Sequence, residues 1–277
     1  MSHVEASAEP RGEREALEHL SFVRGPGERR AALLALLLTP GSQREQAAWK
    51  EATADVAQAA QIAADVALLG AATRLPVFDA LLERSRSAPL AERQGLVETA
   101  RRVMGADGQV SPLDRLRWLV LRQRLGDAPL APPGTAVAPD GSELAQADAV
   151  EFAVLTAFLA RIVPVDAGGS RIAHAGRLWH ERVLAPWAAL LNPLGGAASM
   201  CKAPDSEQML RALRRMQAQS WMHRPVLVQA WIGAIEEDPG VASLELDACD
   251  ALRLAATLLD APLPPSLAAR YRDTGWS

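Results

Sequence analysis

The sequence of 277 residues is poor in aromatic side chains, which make up only 4% of it and include a single tyrosine. Strands favour aromatic and β-branched residues, whereas alanine and leucine, which dominate this chain, favour helices. The scarcity therefore argues against a sheet protein and predicts an all-α fold. A chain of this length can bury one large core or two ordinary ones.

Cysteine is equally scarce, since Cys201 and Cys249 are the whole complement. Two cysteines are too few for a disulfide framework, so we expect a reducing compartment. Residues 1–10 contain neither a basic flank nor an apolar run, so we expect no signal peptide. The longest wholly apolar run, residues 31–38, is far shorter than the roughly 20 residues of a spanning helix. These absences predict a cytoplasmic protein that does not itself insert into a membrane.

No strong charge of one sign is present, because the formal net charge is −4. A protein of this charge has no general attraction for nucleic acid or anionic lipid. Arginines do cluster within 115–124 and 211–215. Acidic residues flank the first cluster, and apolar residues lie between its arginines. We interpret both clusters as solvated helix faces and expect no nucleic-acid partner.

An internal repeat appears when the sequence is shifted by 131 positions, which lays residues 78–122 over 209–253. After a slip of two residues, Asp-Ala-Pro-Leu at 127–130 recurs at 260–263. Each copy predicts two or three helices joined by a tight acidic turn. The aligned pairs include Leu82 with Leu213, Arg84 with Arg215, Arg93 with Arg224, Leu96 with Leu227, Val97 with Val228, Asp107 with Asp238, Val110 with Val241, Leu113 with Leu244, Asp114 with Glu245, Leu121 with Leu252 and Arg122 with Arg253.

Apolar periodicity and turn residues predict helices along the rest of the chain, with loops at 165–169 and 192–204 and little pattern after 264. The predicted helices are 13–23, 28–38, 43–69, one that ends near 87, 91–104, 112–125, 143–163 and 170–185.

Domain boundaries follow from a segment rich in proline and glycine. We place a linker at 132–142, an N-terminal helical domain at 1–131 and a C-terminal helical domain at 143–277. The first repeat then occupies 76–131 and the second 205–264. We expect two related helical bundles that pack together, because one repeat alone buries little surface.

The string from His180 to Leu184 resembles part of the helix of a zinc protease. Such a helix needs two histidines four residues apart, with a glutamate as general base between them. Leu184 holds the second histidine position, and His174 faces another side of the helix. We therefore interpret His180 as a surface histidine beside Glu181. No phosphate loop, nucleophile elbow or cysteine–histidine set is recognisable either, so no catalytic residue is predicted, and an enzyme built from scattered residues has no support in the spacing.

Acidic residues at the two predicted turns are weak candidates for a divalent metal site. The segment from Asp107 to Asp114 resembles the second half of a calcium loop, but Val103 and Gly105 stand where such a loop needs oxygen ligands. A capped helix–turn–helix corner is therefore the favoured interpretation, and no cofactor is expected. The weak metal candidates are Asp107, Asp114, Asp238 and Glu245.

The first corner, Ala106-Asp107-Gly108-x-Val110-Ser111-x-x-Asp114 followed by an apolar helix, resembles the TerB-like helical module of tellurite-resistance proteins. Across most of the chain, the order of short motifs is similar to the cytoplasmic C-terminal region that follows the protease domain in bacterial HtpX-like membrane zinc metallopeptidases. The second corner departs from the pattern, with Glu237-Asp238-Pro239. The remaining motifs are the apolar run 31–38, Arg44-x-Gln46, Arg74-Leu75-Pro76 and the segment 258–265.

The resemblance implies a non-catalytic interaction or regulatory module, because the chain lacks the H-E-x-x-H motif of the protease. Its implied partner is a membrane protease or another membrane-proximal protein, which would hold it at the inner face of the membrane. Two alternatives stay open at this point. The chain is a regulatory fragment of a larger membrane metalloprotease, or it is a TerB-like sensor that binds a divalent metal at its acidic corners.

Overall fold

The computed structural model describes residues 11–126, 144–163, 172–235 and 244–276. All regular secondary structure in these ranges is helical, which confirms the all-α prediction. None of the helices described is both long enough and apolar enough to cross a bilayer. Contacts divide the chain into two compact units, and each is described by itself below. Unit 1 comprises Met1–Gln109 with Tyr271–Ser277, and unit 2 comprises Val110–Arg270.

Unit 1 contains six helices in its described residues, and the second of them forms its core. Residues 31–37 of this helix, α2, are all buried, and α2 packs against α3, α4, α5 and α6. The indole Nε1 of Trp49 donates to the carbonyl of Ala31 at 3.0 Å, which fixes α3 on α2. A helix segment that is apolar all round is buried on all sides, so residues 31–37 of the apolar run form the core part of α2. The six helices are α1 Arg11–Ser21, α2 Pro26–Leu37, α3 Gln43–Ala52, α4 Ala59–Leu68, α5 Ala71–Ser85 and α6 Leu90–Met104.

The helix predicted over 43–69 is interrupted. It begins as predicted, because the Ser42 hydroxyl accepts from the Glu45 N–H. It stops at Thr53, whose hydroxyl donates to the Trp49 carbonyl at 2.8 Å, and the chain turns before α4 begins at Ala59. The spacing of small and apolar residues continues through this turn, which is why periodicity alone predicted one helix.

The C-terminal tail belongs to unit 1 and is tied to it by a buried carboxylate. Glu13 is 6% exposed and accepts from the Gly70 N–H at 2.7 Å and the Thr73 hydroxyl at 2.8 Å. Arg272 of the tail lies 3.4 Å from the same carboxylate. The guanidinium of Arg84 lies 4.8 Å from the ring centre of Trp276, which holds the end of the tail on α5.

Unit 2 is organised around α8, which packs against α9, α10, α11 and α12. The ring of Phe152 stacks on Trp231 at 5.5 Å, and the Trp231 indole N–H donates to the buried Thr156 hydroxyl at 3.0 Å. Gly176 allows α9 to touch α8, because a Cβ there would lie 2.2 Å from the Ala160 carbonyl oxygen. The helices of unit 2 are α7 Pro112–Leu125, α8 Gln146–Leu159, α9 His174–Leu184, α10 Ala188–Leu191, α11 Gly196–Met200, α12 Ser206–Gln217, α13 His223–Gly233, α14 Leu246–Leu258 and α15 Pro265–Ala268.

Two further details of unit 2 differ from the prediction. The loop predicted at 192–204 contains α11, and the tail predicted to lack pattern contains α15, whose Leu267 is fully buried. Each of these two helices is about one turn long. A helix of this length is too short to show periodic apolar residues in the sequence.

The domain boundaries stay predictions, because the linker at 132–142 lies outside the described residues. The division by contacts lies earlier in the chain than that linker. It falls between α6 and α7, since α7 packs against α14 within unit 2.

Candidate functional site

The predicted turn at Asp107 is present and closes on itself. The Asp107 carboxylate accepts from the Gln109 N–H at 2.8 Å, which is a turn made by an aspartate side chain with its own backbone. Gly108 adopts a positive φ of 82°, which a glycine tolerates without strain. The hydrogen bond of Asp107 therefore stabilises the turn itself, which explains this residue without a metal ion.

Ser111 caps α7, as the sequence predicted, and Asp114 at the third helical position completes the capping box. Its carboxylate accepts from the Ser111 hydroxyl at 2.6 Å and the Ser111 N–H at 3.1 Å, and the Ser111 hydroxyl accepts in turn from the Asp114 N–H. Arg117 lies 3.5 Å from the same carboxylate and 3.7 Å from Asp250 on α14. Asp114 is thus buried in a cap that an arginine joins to a second carboxylate.

The remaining metal candidates do not extend this cluster. Glu245 is exposed, precedes α14, and forms no side-chain cap. Asp238 lies outside the described residues. Within the described part of the chain, no group of three or more potential metal ligands comes together. The metal site therefore stays a prediction.

His180 is not the surface histidine that we expected. It is fully buried, and its Nε2 lies 3.2 Å from the Ala153 carbonyl, to which it donates as a neutral imidazole. Its Nδ1 is buried and has no hydrogen-bond partner. Burial lowers the pKa of His180 below its ordinary value of 6.5, more strongly than the carbonyl and Glu181 raise it. The inward spacing of Gly176, Trp179 and Val183 was the signal that could have predicted this.

The two thiols are poor nucleophiles in this environment. Both cysteines are free. Burial raises the pKa of the Cys201 thiol to about 11, and it also raises the pKa of Cys249. A thiol of this kind stays protonated at neutral pH, whereas the thiolate is the reactive form.

A surface cluster that the sequence did not reveal lies at the start of α13. The cluster consists of Trp221, Met222 and Val226, whose exposed fractions are 73%, 59% and 55%. The structure describes all seven tryptophans, and Trp221 alone among them is exposed. Most of the seven tryptophans lie in helical runs of the sequence, a position that predicts core packing for them. We call these three residues the Trp221 surface.

The arginines close in sequence to the Trp221 surface are largely paired. Residues 208–235 include four arginines and no aspartate or glutamate. Carboxylates from elsewhere in unit 2 pair with three of them: Arg211 lies 2.7 Å from Glu151, Arg215 pairs with Asp148, and Arg224 lies 3.5 Å from Asp260. This segment therefore carries little uncompensated positive charge.

Comparisons of the chain with known protein families, curated proteins and solved structures gave no match. The resemblance to HtpX-like metallopeptidases therefore stays a prediction that rests on the sequence motifs alone.

Proposed function

We propose that this protein is a non-catalytic helical interaction module that binds another protein through the Trp221 surface. Exposed tryptophan, methionine and valine side chains leave apolar area in contact with water. Burying that area against a partner would contribute roughly 25 cal/mol of free energy per Å². Interaction sites combine such an apolar centre, in which tryptophan is often the dominant residue, with a polar rim. The exposure of Trp221 is the single observation that carries the proposal.

A protein partner suits this surface better than a lipid bilayer. Attachment to anionic lipid relies on uncompensated cations, each worth about 1 kcal/mol near the membrane. Three of the four arginines of residues 208–235 are paired with carboxylates, and the net charge of the chain is −4. The partner therefore presents an apolar pocket that accepts an indole ring.

The finer identity of the module comes from the sequence resemblance. We propose that its repeats are TerB-like and that it regulates a bacterial HtpX-like membrane zinc metallopeptidase, either as a separate chain or as a part of the same one. The helix bounds are compatible with the repeat, because α12, α13 and α14 follow α5, α6 and α7 at a shift close to 131 residues. This proposal places the module in the cytoplasm, at the inner face of the membrane.

Capture from membrane extract, followed by binding with the purified partner, tests the proposal. The baits are the unaltered chain, Trp221→Ser, and Leu178→Ser as a control, since Leu178 is also exposed in unit 2. We expect Trp221→Ser to weaken binding of the purified partner at least about tenfold, which is about 1.4 kcal/mol, and Leu178→Ser to leave it unchanged. Equal binding by all three baits, or binding of the chain to anionic phospholipid vesicles that depends on Trp221, would overturn the proposal.

A further inference from the structure

Unit 1 contains a cleft of about 440 Å³ that has no part in the proposed function. Its walls are the start of α2, the turn before α4, the end of α5 with the turn that follows it, and α6 as far as Thr99. Its volume lies within the range of small-molecule sites. The charged groups of its lining are three arginines and two carboxylates, namely Arg29, Arg30, Arg93, Asp55 and Glu92.

Arg29 supplies to the cleft a guanidinium that forms no ion pair with a carboxylate of the described residues. Its Nη1 donates to the Arg84 carbonyl at 2.9 Å, which orients the guanidinium and uses one of its five N–H donors. No carboxylate of the described residues lies within ion-pair distance of Arg29. A guanidinium held in this way is preorganised to donate to an anion.

Arg30 follows Arg29 on α2 and also lines the cleft. Its guanidinium forms an ion pair with the carboxylate of Asp55. The Asp55 side chain is 70% exposed, whereas that of Arg30 is 31% exposed. The Arg30 Nε is buried and has no hydrogen-bond partner. Because the Asp55 side chain is largely exposed, its carboxylate can rotate into solvent. Arg30 can then bind another anion in its place.

The start of α2 adds a backbone donor to the same cleft. Gly27, the second residue of the helix, lines the cleft with its N–H, whereas Pro26 before it has no N–H. The first N–H groups of a helix have no partner within it, and the helix dipole places partial positive charge there. Ser85 and Thr99 bring hydroxyl groups to the walls. Guanidinium groups, helix N–H groups and hydroxyls are the donors that bind phosphate.

We infer that the cleft binds the phosphate group of a small molecule, which takes the place of Asp55 on Arg30 and accepts from Arg29 at the same time. Asp55 then acts as a competing internal anion that keeps Arg30 oriented while the cleft is empty. The inference concerns unit 1 alone and does not depend on the proposed function of the Trp221 surface in unit 2.

Calorimetric titration of the full chain with inorganic phosphate, and separately with glycerol 3-phosphate, tests the inference. We expect Arg29→Gln to weaken binding about tenfold, because a hydrogen bond to a charged group contributes about 1.4 kcal/mol or more. Asp55→Asn should strengthen binding severalfold, since it removes the competing carboxylate. Arg86→Gln is the control, because Arg86 is an exposed arginine of unit 1 outside the cleft and pairs with Glu83.

The opposite effects expected for Arg29→Gln and Asp55→Asn separate binding in the cleft from a loss of folding. Binding of both probes supports recognition of the phosphate group itself. Binding of glycerol 3-phosphate alone supports a site for a phosphate ester. Absence of heat with both probes up to about 10 mM, or equal weakening by Arg29→Gln and Arg86→Gln, would overturn the inference.

Discussion

The guanidinium of Arg117 lies 3.7 Å from the carboxylate of Asp250, so an ion pair with little exposure joins α7 to α14 in unit 2. The same guanidinium lies 3.5 Å from Asp114, which completes the capping box at the start of α7. One arginine therefore holds together a helix cap and a helix pair. Because both carboxylates are buried, the attraction of this cation offsets part of the free-energy cost of removing their charges from water.

Replacing Arg117 by Met should destabilise unit 2. Removal of this cation reduces the charge compensation of two buried carboxylates, and we expect the free energy of unfolding to fall by about 2 kcal/mol. Urea unfolding followed by circular dichroism measures the change. Arg86→Met is the control, because its pair with Glu83 is exposed and should contribute less than about 0.5 kcal/mol. Equal losses in the two variants would contradict the role assigned to Arg117.

His180 should make stability depend on pH below neutrality. Its pKa in the folded protein lies below the ordinary value of 6.5, because burial disfavours the charged ring. Below that value the unfolded chain binds a proton that the folded protein does not bind. The free energy of unfolding should therefore decrease as pH falls from 6.5 towards the lowered pKa, by at most about 1.4 kcal/mol per pH unit.

Unfolding in urea at several pH values between about 7.5 and 5 checks this prediction. His180→Leu should show a shallower decrease than the unaltered chain. His174→Gln is the control, because His174 is exposed at the start of α9 and should leave the slope unchanged. Equal slopes in the unaltered chain and His180→Leu would show that His180 is not the group that titrates.

Some parts of the fold were predictable because a local signal determines them. Ser111, Pro112 and Asp114 form a helix start that needs only neighbouring residues, and the structure has the predicted cap. The turn after Thr53 was not predictable in the same way, because it interrupts a stretch whose small and apolar residues suit a continuous helix.

The candidate sites were less predictable than the helices, because burial depends on tertiary packing. His180 is interpreted from the sequence as a surface histidine because a second zinc ligand is missing, yet it is buried on α9 while Glu181 is exposed. Core packing of the tryptophans is predicted from their position in helical runs, yet Trp221 lies before α13 with its ring in solvent. The arginine cleft joins residues from four segments of unit 1, so no single stretch of sequence reveals it.

Calcium, magnesium and zinc should give no saturable heat in calorimetric titrations. The Asp114 carboxylate already accepts two hydrogen bonds from Ser111 and faces Arg117, and a cation would have to displace that arginine. Asp107 likewise accepts from its own turn. Binding of one ion per chain that Asp107→Asn abolishes would instead support the divalent-metal alternative.

Gly176 should tolerate no side chain. A Cβ at this position would lie 2.2 Å from the Ala160 carbonyl oxygen, and neither that backbone atom nor the α9 backbone can move without separating the two helices. We expect Gly176→Ala to lower the free energy of unfolding by at least about 2 kcal/mol, as overpacking does in a dense core. Thermal unfolding of the purified variant measures the loss.

Gly233→Ala is the matched control in the same unit, because Gly233 closes α13 and a Cβ there would meet nothing within 4 Å. Alanine restricts the unfolded chain more than glycine does, so this variant should be about 0.5 kcal/mol more stable than the unaltered chain. If Gly176→Ala lowers the free energy of unfolding and Gly233→Ala raises it, the loss of stability arises at the contact between α9 and the end of α8. Stabilisation by both would mean that the two helices do not approach closely at Gly176, and the core of unit 2 around Trp179 and Phe152 would then pack differently.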